Sequence, residues 1–406
     1  MLGRDTRKAI ARLAESVLSV KPLVEGLASP VRVVPGGRDA TVSPAGRPAG
    51  EWRALRRLLD RVARRSGVAG LTLARDTAFD DLQMFERVIS ERLALAEWMR
   101  CATAVPVDRL GEVDQVLTRT LADSFEAFSP KEAITSVDGV PLHVYAAGQG
   151  AETVVLVPAC GMPVALSESW VRFLARDRRV LTWESRGLFG AAGHDGDYGV
   201  DVGAQSADLF AVMDHYGVAG AHVVGLCGGA VIALAAAAGR PERIASLSLW
   251  HGAYGFTDGG AKTKHQEGLI ELMTSAARSR AAARAVHAAF CQAMLTSTPA
   301  DAAHLVLYPY ASPELLYRYC RLNTGITGTD VEPYLARVRQ PALVVTSRDD
   351  DIAHPAGSER VAAGLTNGQL RVEAHGDHIS LFSAQDALLQ VATDFMAQHG
   401  TARSTA

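Results

Sequence analysis

An uncharged stretch of 17 residues, Val223–Gly239, constrains the fold of this chain more than any other part of the sequence. It reads VVGLCGGAVIALAAAAG and lies between His222 and Arg240. A membrane helix needs about 20 apolar residues, so this stretch is short for one, and its first half is interrupted by glycines. The valine-rich start favours a strand and the alanine-rich end favours a helix. The stretch therefore predicts a buried strand, a tight turn and a buried helix.

Apolar runs typical of strands alternate with helical segments after residue 130. A hairpin signal at Asp138-Gly139 precedes them. The runs lie at residues 153–157, 180–183, 222–226, 247–250, 342–346 and 370–374. Strands that are apolar on both faces and alternate with helices indicate a parallel sheet covered on both sides. The sequence therefore predicts a doubly wound, mostly parallel α/β core.

The remaining segments have mainly helical spacing. Before residue 130, apolar residues recur at helical intervals at 10–18, 55–62, 85–99 and 110–128, with a loop predicted at 30–50. Between Trp250 and Pro341 the alternation stops, and helical patterns follow. We therefore predict a mainly helical region at 1–130, a core at 131–252 and 336–406, and a helical lid at 253–335.

The turn within the uncharged stretch has the pattern of a nucleophile elbow. Cys227 is the central residue of GLCGG, between an apolar strand and an Ala-rich helix. Small residues two positions away on each side allow the chain to turn tightly, and the central side chain is exposed at the turn. A helix start also favours a thiolate. Cys227 is therefore the candidate nucleophile, the alternative being an inert buried cysteine in a Gly-rich turn.

Two later loops carry the acids and histidines that such a nucleophile needs. SRDDDIAHP follows the strand at 342–346, and HGDH follows the strand at 370–374. The three motifs in this order resemble the α/β-hydrolase superfamily over residues 131–406. The resemblance implies an α/β-hydrolase fold with a helical lid and an added N-terminal helical region. It also implies Asp350 as the acid, with Asp349 as the alternative, and His378 as the base.

The oxyanion hole should pair the amide after the nucleophile, that of Gly228, with an amide of the loop after an early strand. That loop is Val157–Pro163, and it departs from the His-Gly start that is common in the superfamily. We take Cys160 as the second donor, with Gly161 as the alternative. Cys160 is then expected near Cys227, where the two would form a disulfide in an oxidised sample.

A cysteine nucleophile forms a thioester, and exchange between thioesters is nearly isoenergetic, which favours acyl transfer over hydrolysis. The elbow cysteine, Asp350, His378 and the helical additions are similar to the cysteine-type aminoacyltransferases of nonribosomal peptide biosynthesis. That resemblance implies transfer of an acyl or aminoacyl group between carrier-protein thioesters. No cofactor would be bound, and the substrate would be carried on phosphopantetheine. Residues 157–163 and 183–190 also look like parts of esterase-like enzymes of polyketide pathways.

Two other functions compete with acyl transfer. The same triad would serve a thioesterase, a dienelactone-type hydrolase or an esterase-like lyase. Dienelactone hydrolases normally carry an acidic residue before the elbow cysteine, whereas position 226 is Leu. A non-catalytic binding protein on a hydrolase fold is the third hypothesis, and the presence of Cys227, Asp350 and His378 together argues against it.

The charge and the cysteine content limit which partners and which cellular compartment we expect. The net charge is −3, from 41 basic and 44 acidic residues, so nucleic acid is not expected as a partner. The five cysteines include no CxxC pair, and the N-terminus lacks the apolar core of a signal peptide, which together predict a cytoplasmic protein without a membrane partner. We find no metal-ligand cluster, phosphate loop or dinucleotide motif in the sequence.

One predicted helix face is strongly basic, although the whole chain is nearly neutral. Residues 51–65 read EWRALRRLLDRVARR, with an apolar stripe opposite a basic face. The arginines predicted on this face are Arg53, Arg57, Arg61 and Arg64. We expect this face to dock an acidic acyl or peptidyl carrier protein, or to form a homodimer contact between N-terminal helices.

Overall fold

A computed structural model describes residues 1–27, 29–36, 48–189 and 198–400 of the chain. Much of the loop predicted at 30–50 and the last residue of the 183–190 run lie outside the described residues. The described strands are β1 Val31–Val33, β2 Leu71–Leu73, β3 Lys131–Thr135, β4 Pro141–Ala147, β5 Thr153–Val157, β6 Arg179–Trp183, β7 Ala221–Leu226, β8 Ile244–Trp250, β9 Ala342–Ser347 and β10 Gly368–Glu373.

The described α-helices number sixteen. They are α1 Arg4–Gly26, α2 Ala49–Arg65, α3 Met84–Leu93, α4 Leu95–Thr103, α5 Leu110–Ala122, α6 Phe125–Phe128, α7 Glu168–Leu174, α8 Val202–His215, α9 Gly228–Gly239, α10 Lys264–Ala277, α11 Arg280–Ser297, α12 Ala303–Val306, α13 Pro313–Thr327, α14 Glu332–Leu335, α15 Pro355–Gly364 and α16 Asp386–Ala397. Contacts divide the chain into two units, one of residues 1–128 with 293–312 and one of residues 129–292 with 313 onward.

The second unit is built on one eight-stranded sheet, in the order β10-β9-β8-β7-β5-β6-β4-β3. β3 and β4 form the antiparallel hairpin predicted at Asp138-Gly139, and β4 is also antiparallel to β6. The other neighbouring strands are parallel. β7 and β9 are buried at every residue, as expected for parallel strands between helical layers. The predicted doubly wound, mostly parallel sheet is confirmed.

The parallel strands β5, β7, β8, β9 and β10 all point the same way, so the loops after them meet at one edge of the sheet. Helices α7, α8, α9 and α15 pack on the strands. The elbow residue Cys227, the loop with Asp350 and the loop with His378 all leave this edge. The sheet topology therefore brings the predicted site residues toward one another.

The first unit contains helices α1 to α6 and a two-stranded parallel sheet of β1 and β2. The helical pattern at 85–99 forms two helices, because Ala94 adopts a left-handed backbone with φ 48°. The indole nitrogen of Trp98 donates to the carbonyl oxygen of Leu93 at 2.8 Å across this break. The pattern predicted for 110–128 is likewise divided between α5 and α6.

The lid predicted at 253–335 is divided between the units. Residues 293–312 belong to the first unit, because α12 packs there against α1 and α3 and buries Ala303 and Val306. In the second unit, α13 packs against α10 and against α9. No helix of the described residues has both the length and the apolar character needed to cross a membrane.

Candidate active site

Cys227 is the single residue between the end of β7 and the start of α9. Its φ of 54° and ψ of −122° are a strained conformation that costs a residue with a side chain about 1–3 kcal/mol. The Cys227 amide donates to the Trp250 carbonyl oxygen at 2.9 Å, and the Ala230 amide donates to the Cys227 carbonyl oxygen at 3.0 Å. These bonds hold the strand-to-helix turn that the sequence predicts.

The glycines two positions before and after Cys227 are required by close packing. A Cβ on Gly225 would lie 2.7 Å from the Cα of Ala230, and one on Gly229 would lie 2.4 Å from the Val157 carbonyl oxygen. Neither contact is possible for a real side chain at these positions without moving backbone. The GLCGG pattern is thus explained by the turn itself.

Asp350 and His378 form a buried pair. His378 Nδ1 lies 2.9 Å from Asp350 Oδ2, and the two side chains are 4% and 0% exposed. Asp350 Oδ1 also accepts the backbone amides of Ile352 at 3.0 Å and Ala353 at 2.8 Å. These bonds fix the carboxylate. His378 Nε2 is buried and makes no hydrogen bond of normal geometry within the described residues.

Charges within the site favour a protonated His378 and an ionised Asp350. Burial of His378 lowers its pKa, but the nearby charges of Cys227 and Asp350 outweigh this and raise the pKa well above 6.5. Burial alone would raise the pKa of Asp350, whereas the charge of His378 and the hydrogen bonds from His251 and His378 lower that pKa below its usual range. Asp350 is therefore a carboxylate, and His378 is poised to hold a proton next to Cys227.

The alternative acid lies outside this cluster. Asp349 Oδ2 is 3.2 Å from Nδ1 of His375, and these side chains are 54% and 91% exposed. The structure therefore places Asp350, and not Asp349, against His378.

The loop after β5 lies beside the elbow. A Cβ on Gly228 would lie 3.6 Å from Cys160 Cβ. Gly228 opens α9, so its amide has no acceptor within the helix. The Gly161 amide already donates to Ser185 Oγ at 2.8 Å, whereas the Cys160 amide has no backbone acceptor in the part of the chain described. This arrangement favours Cys160 over Gly161 as the partner of Gly228.

The Cys160 side chain is packed rather than ionised. Its sulfur contacts Gln205 Oε1 at 3.7 Å, and burial raises its pKa to about 12. All five cysteines are free thiols. A disulfide between Cys160 and Cys227 stays a prediction for oxidised samples.

Helix α13 covers this edge of the site. A Cβ on Gly228 would lie 3.2 Å from Ile326 Cδ1, and one on Gly161 would lie 2.3 Å from the Tyr319 ring. Ile326 is fully buried and Tyr319 is 5% exposed. Side chains of α13 therefore pack against the start of α9 and the loop after β5.

A buried arginine braces the loop after β6. Arg186 is 1% exposed and forms bidentate bonds to two carboxylates, those of Asp208 at 2.7 and 2.8 Å and of Asp138 at 2.7 and 2.8 Å. The hydrogen bonds from Arg186 lower the pKa of Asp138 to about 2. This network joins the β3–β4 hairpin to α8.

One buried residue of the site was not predicted. His251, the residue after β8, places Nδ1 2.7 Å from Asp350 Oδ2. Its ligand atom and those of Asp350 and His378 lie within 4.8 Å of one another, close enough for a metal ion. Both ring Nδ1 atoms already face an ionised carboxylate that can only accept, so hydrogen bonding accounts for the arrangement. The one signal for His251 is its place at the carboxyl end of a core strand.

Solved structures decide the fold. An enol-lactonase of Burkholderia xenovorans LB400 superposes with a TM-score of 0.52 at 22% identity, over 66% of this chain and 100% of that one. A thermophilic esterase of Thermogutta terrifontis superposes with a TM-score of 0.53 at 19% identity, over 67% of this chain and 99% of that one. The chain has the α/β-hydrolase fold. At these identities the likeness establishes the fold alone.

Sequence comparison finds distant relatives among curated proteins. No protein-family profile matches the chain. A protein of Stutzerimonas stutzeri that is named carbamate hydrolase RutD is 24% identical over 266 residues, which are 61% of this chain and 92% of the relative. None of these three proteins is named an acyltransferase.

Proposed function

We propose that this chain is an acyl hydrolase that cleaves ester or thioester bonds through a covalent thioester on Cys227. The observation that carries the proposal is the strained elbow, which holds Cys227 beside the buried His378–Asp350 pair. The relatives named as hydrolase, esterase and lactonase support hydrolysis as the overall reaction.

The proposed reaction has two halves. His378 Nε2 takes the proton of Cys227, and the thiolate attacks the carbonyl carbon of the substrate. The Gly228 and Cys160 amides stabilise the oxyanion, and His378 returns the proton to the leaving alcohol or thiol. Water then attacks the thioester with His378 as base, which releases the carboxylic acid and restores the thiol. Nucleophile, base and donors all belong to the chain, so no cofactor is needed.

Turnover of model substrates tests this proposal. We expect the protein to hydrolyse a p-nitrophenyl ester or a pantetheine thioester of a short acyl chain, and Cys227→Ala to lose all turnover above background. Cys101→Ala is the matched control, because Cys101 and Cys227 are the two cysteines of intermediate exposure. Turnover that survives in Cys227→Ala would contradict the proposal, and equal loss in Cys101→Ala would show that the loss is not specific to Cys227.

Acyl transfer to a thiol is the second candidate, and the cysteine at position 227 favours it. An acyl thioester reacts more readily with a thiol than an acyl ester does, so an incoming carrier thiol would compete with water. We expect the balance to show in the lifetime of the acyl-enzyme. A lifetime that free pantetheine does not shorten supports hydrolysis, and a long-lived adduct that a carrier-protein thiol discharges at once supports transfer.

A further inference from the structure

His251 belongs to none of the sequence motifs, yet it contacts the carboxylate of the proposed triad. Its Nδ1 lies 2.7 Å from Asp350 Oδ2, and its side chain is 3% exposed. Its amide donates to the Val345 carbonyl oxygen at 2.9 Å, which ties it to the end of β9. Two histidines from two different loops therefore share one carboxylate oxygen.

Counting donors shows what His251 adds. A carboxylate offers about four lone-pair positions. At Asp350, Oδ1 accepts the amides of Ile352 and Ala353, and Oδ2 accepts Nδ1 of His378 and of His251. All four positions are filled by protein donors. Because the ionised carboxylate can only accept, Nδ1 of His251 must carry the proton of this bond.

The backbone of His251 carries a cost that favours a specific role. Its φ is 48°, in the left-handed region that residues with a side chain seldom adopt. In the described chain it shares this feature with two other residues that have side chains, Ala94 and Cys227. Strain of this kind persists where the surroundings require one conformation. Here the requirement is the contact with Asp350.

We propose that His251 is a positioning residue that donates to Asp350 Oδ2 and thereby limits how strongly the carboxylate holds the proton on His378. A carboxylate that shares its charge with a second donor attracts the His378 proton less. His378 then releases the proton more readily to a leaving group. The proposal rests on the function proposed above, because it gives His378 the role of acid and base.

The groups that titrate around this bond come from three loops. Asp350 and His378 contact or face His251, with the ring centroids of the two histidines 5.9 Å apart at 78°. Cys227 faces His378 from the elbow. A pH titration of His378 must therefore be compared between variants that leave Cys227 and Asp350 unchanged.

Two substitutions separate donation from packing. His251→Asn keeps an N–H donor near the position of Nδ1 and tolerates a left-handed backbone, whereas His251→Gly tolerates that backbone without any donor. We expect the Gly variant to raise the pH at which His378 loses its proton by about one unit and to lower kcat about tenfold, with KM nearly unchanged. The Asn variant should stay within about twofold of wild type in kcat.

The titration is read from the ring resonances of ¹⁵N-labelled histidine, without substrate. In the unmutated protein, the Nδ1–H resonance of His251 should move at the same pH as that of His378, which tests the shared carboxylate even if the Gly variant does not fold. A His251 resonance that ignores the His378 titration, or equal effects of Asn and Gly, would overturn the proposal. Absence of any hydrolysis by the wild type would instead count against the proposed function and leave the titration interpretable.

Discussion

Two aspartate–histidine pairs lie side by side in this chain, and they differ in surroundings rather than in chemistry. Asp350 and His378 are 2.9 Å apart with side chains 0% and 4% exposed, whereas Asp349 and His375 are 3.2 Å apart with side chains 54% and 91% exposed. The acids are adjacent in sequence, and the histidines are three residues apart. Burial and the number of donors therefore distinguish the pairs.

The two pairs differ in how strongly the carboxylate acts on its histidine. Water and salt screen the exposed pair, and such pairs contribute about 0–1 kcal/mol. The buried carboxylate instead accepts two amides and two histidines. It is 0% exposed, so water screens its charge on His378 much less. An aspartate–histidine pair occurs twice in this part of the chain, so the residue types alone do not identify the catalytic pair. Its burial does.

The two histidines should differ most when each is replaced. We expect His378→Asn to lower kcat on a p-nitrophenyl ester by about 10⁶-fold, because the nucleophile loses its base, and His375→Asn to leave kcat within about twofold. Steady-state kinetics of both purified variants measure this. Comparable losses from the two substitutions would show that the exposed pair takes part.

Replacing the two acids should separate their effects on kcat by a smaller factor than replacing the two histidines. Asp350→Asn keeps the shape of the side chain but removes the charge and disturbs the His378 tautomer, so we expect kcat to fall about 10⁴-fold. Asp349→Asn should leave it unchanged. If Asp349→Asn is the more damaging variant, the acid has been assigned to the wrong residue.

Stability should depend on pH through the buried pair. The raised pKa of His378 contributes stability that is fully present below its unfolded value, about 6.5, and is lost as pH rises through the folded pKa. The lowered pKa of Asp350 contributes stability that is present above about 3.9 and is lost as pH falls through its folded pKa. The pair therefore stabilises most between about pH 4 and 6.5.

Urea unfolding of wild type and His378→Asn measures this contribution. We expect the difference in unfolding free energy to shrink as the pH is raised above about 6.5, and no such trend for His375→Asn. A difference that grows with pH would contradict the raised pKa of His378.

The smallest effect is expected from exposed charges on α2. The structure ties Arg61 to Asp114 with Nε to Oδ1 at 2.7 Å, leaves Arg53 exposed and half-buries Arg57. We predict that Arg53→Glu with Arg57→Glu raises KM for a carrier-bound substrate a few-fold, with a flatter salt dependence, and does not change kcat on a small ester. Equal loss on both substrates would indicate a folding or dimer role instead.

The sequence was most informative where the signal is local. The elbow at Cys227 was predictable because strand, glycines and helix are contiguous, and a backbone contact requires glycine at both Gly225 and Gly229. Asp349 and Asp350 could not be separated with the same rigour, since a shift of one residue decides which side chain enters the core. His251 carried no motif, because its role depends on two loops that lie about 100 and 127 residues further along the chain.

The same limit applies to the helical parts. The pattern at 85–99 has helical spacing throughout, yet the left-handed Ala94 divides it. Residues 293–312 have the same helical character as the rest of the predicted lid, and their packing against α1 and α3 depends on contacts made far along the chain. Periodicity predicts that a helix forms, and tertiary contacts decide where it ends and what it packs against.

The most direct test of the account is to locate the acyl group. Wild type mixed with a slowly hydrolysed thioester, quenched in acid and digested, should show one acyl adduct by peptide mass spectrometry, on Cys227. The Asp350→Asn variant should form the same adduct more slowly, and Asp349→Asn at the wild-type rate. An adduct on another residue, or an adduct that persists in Cys227→Ala, would contradict the assignment of Cys227 as the nucleophile.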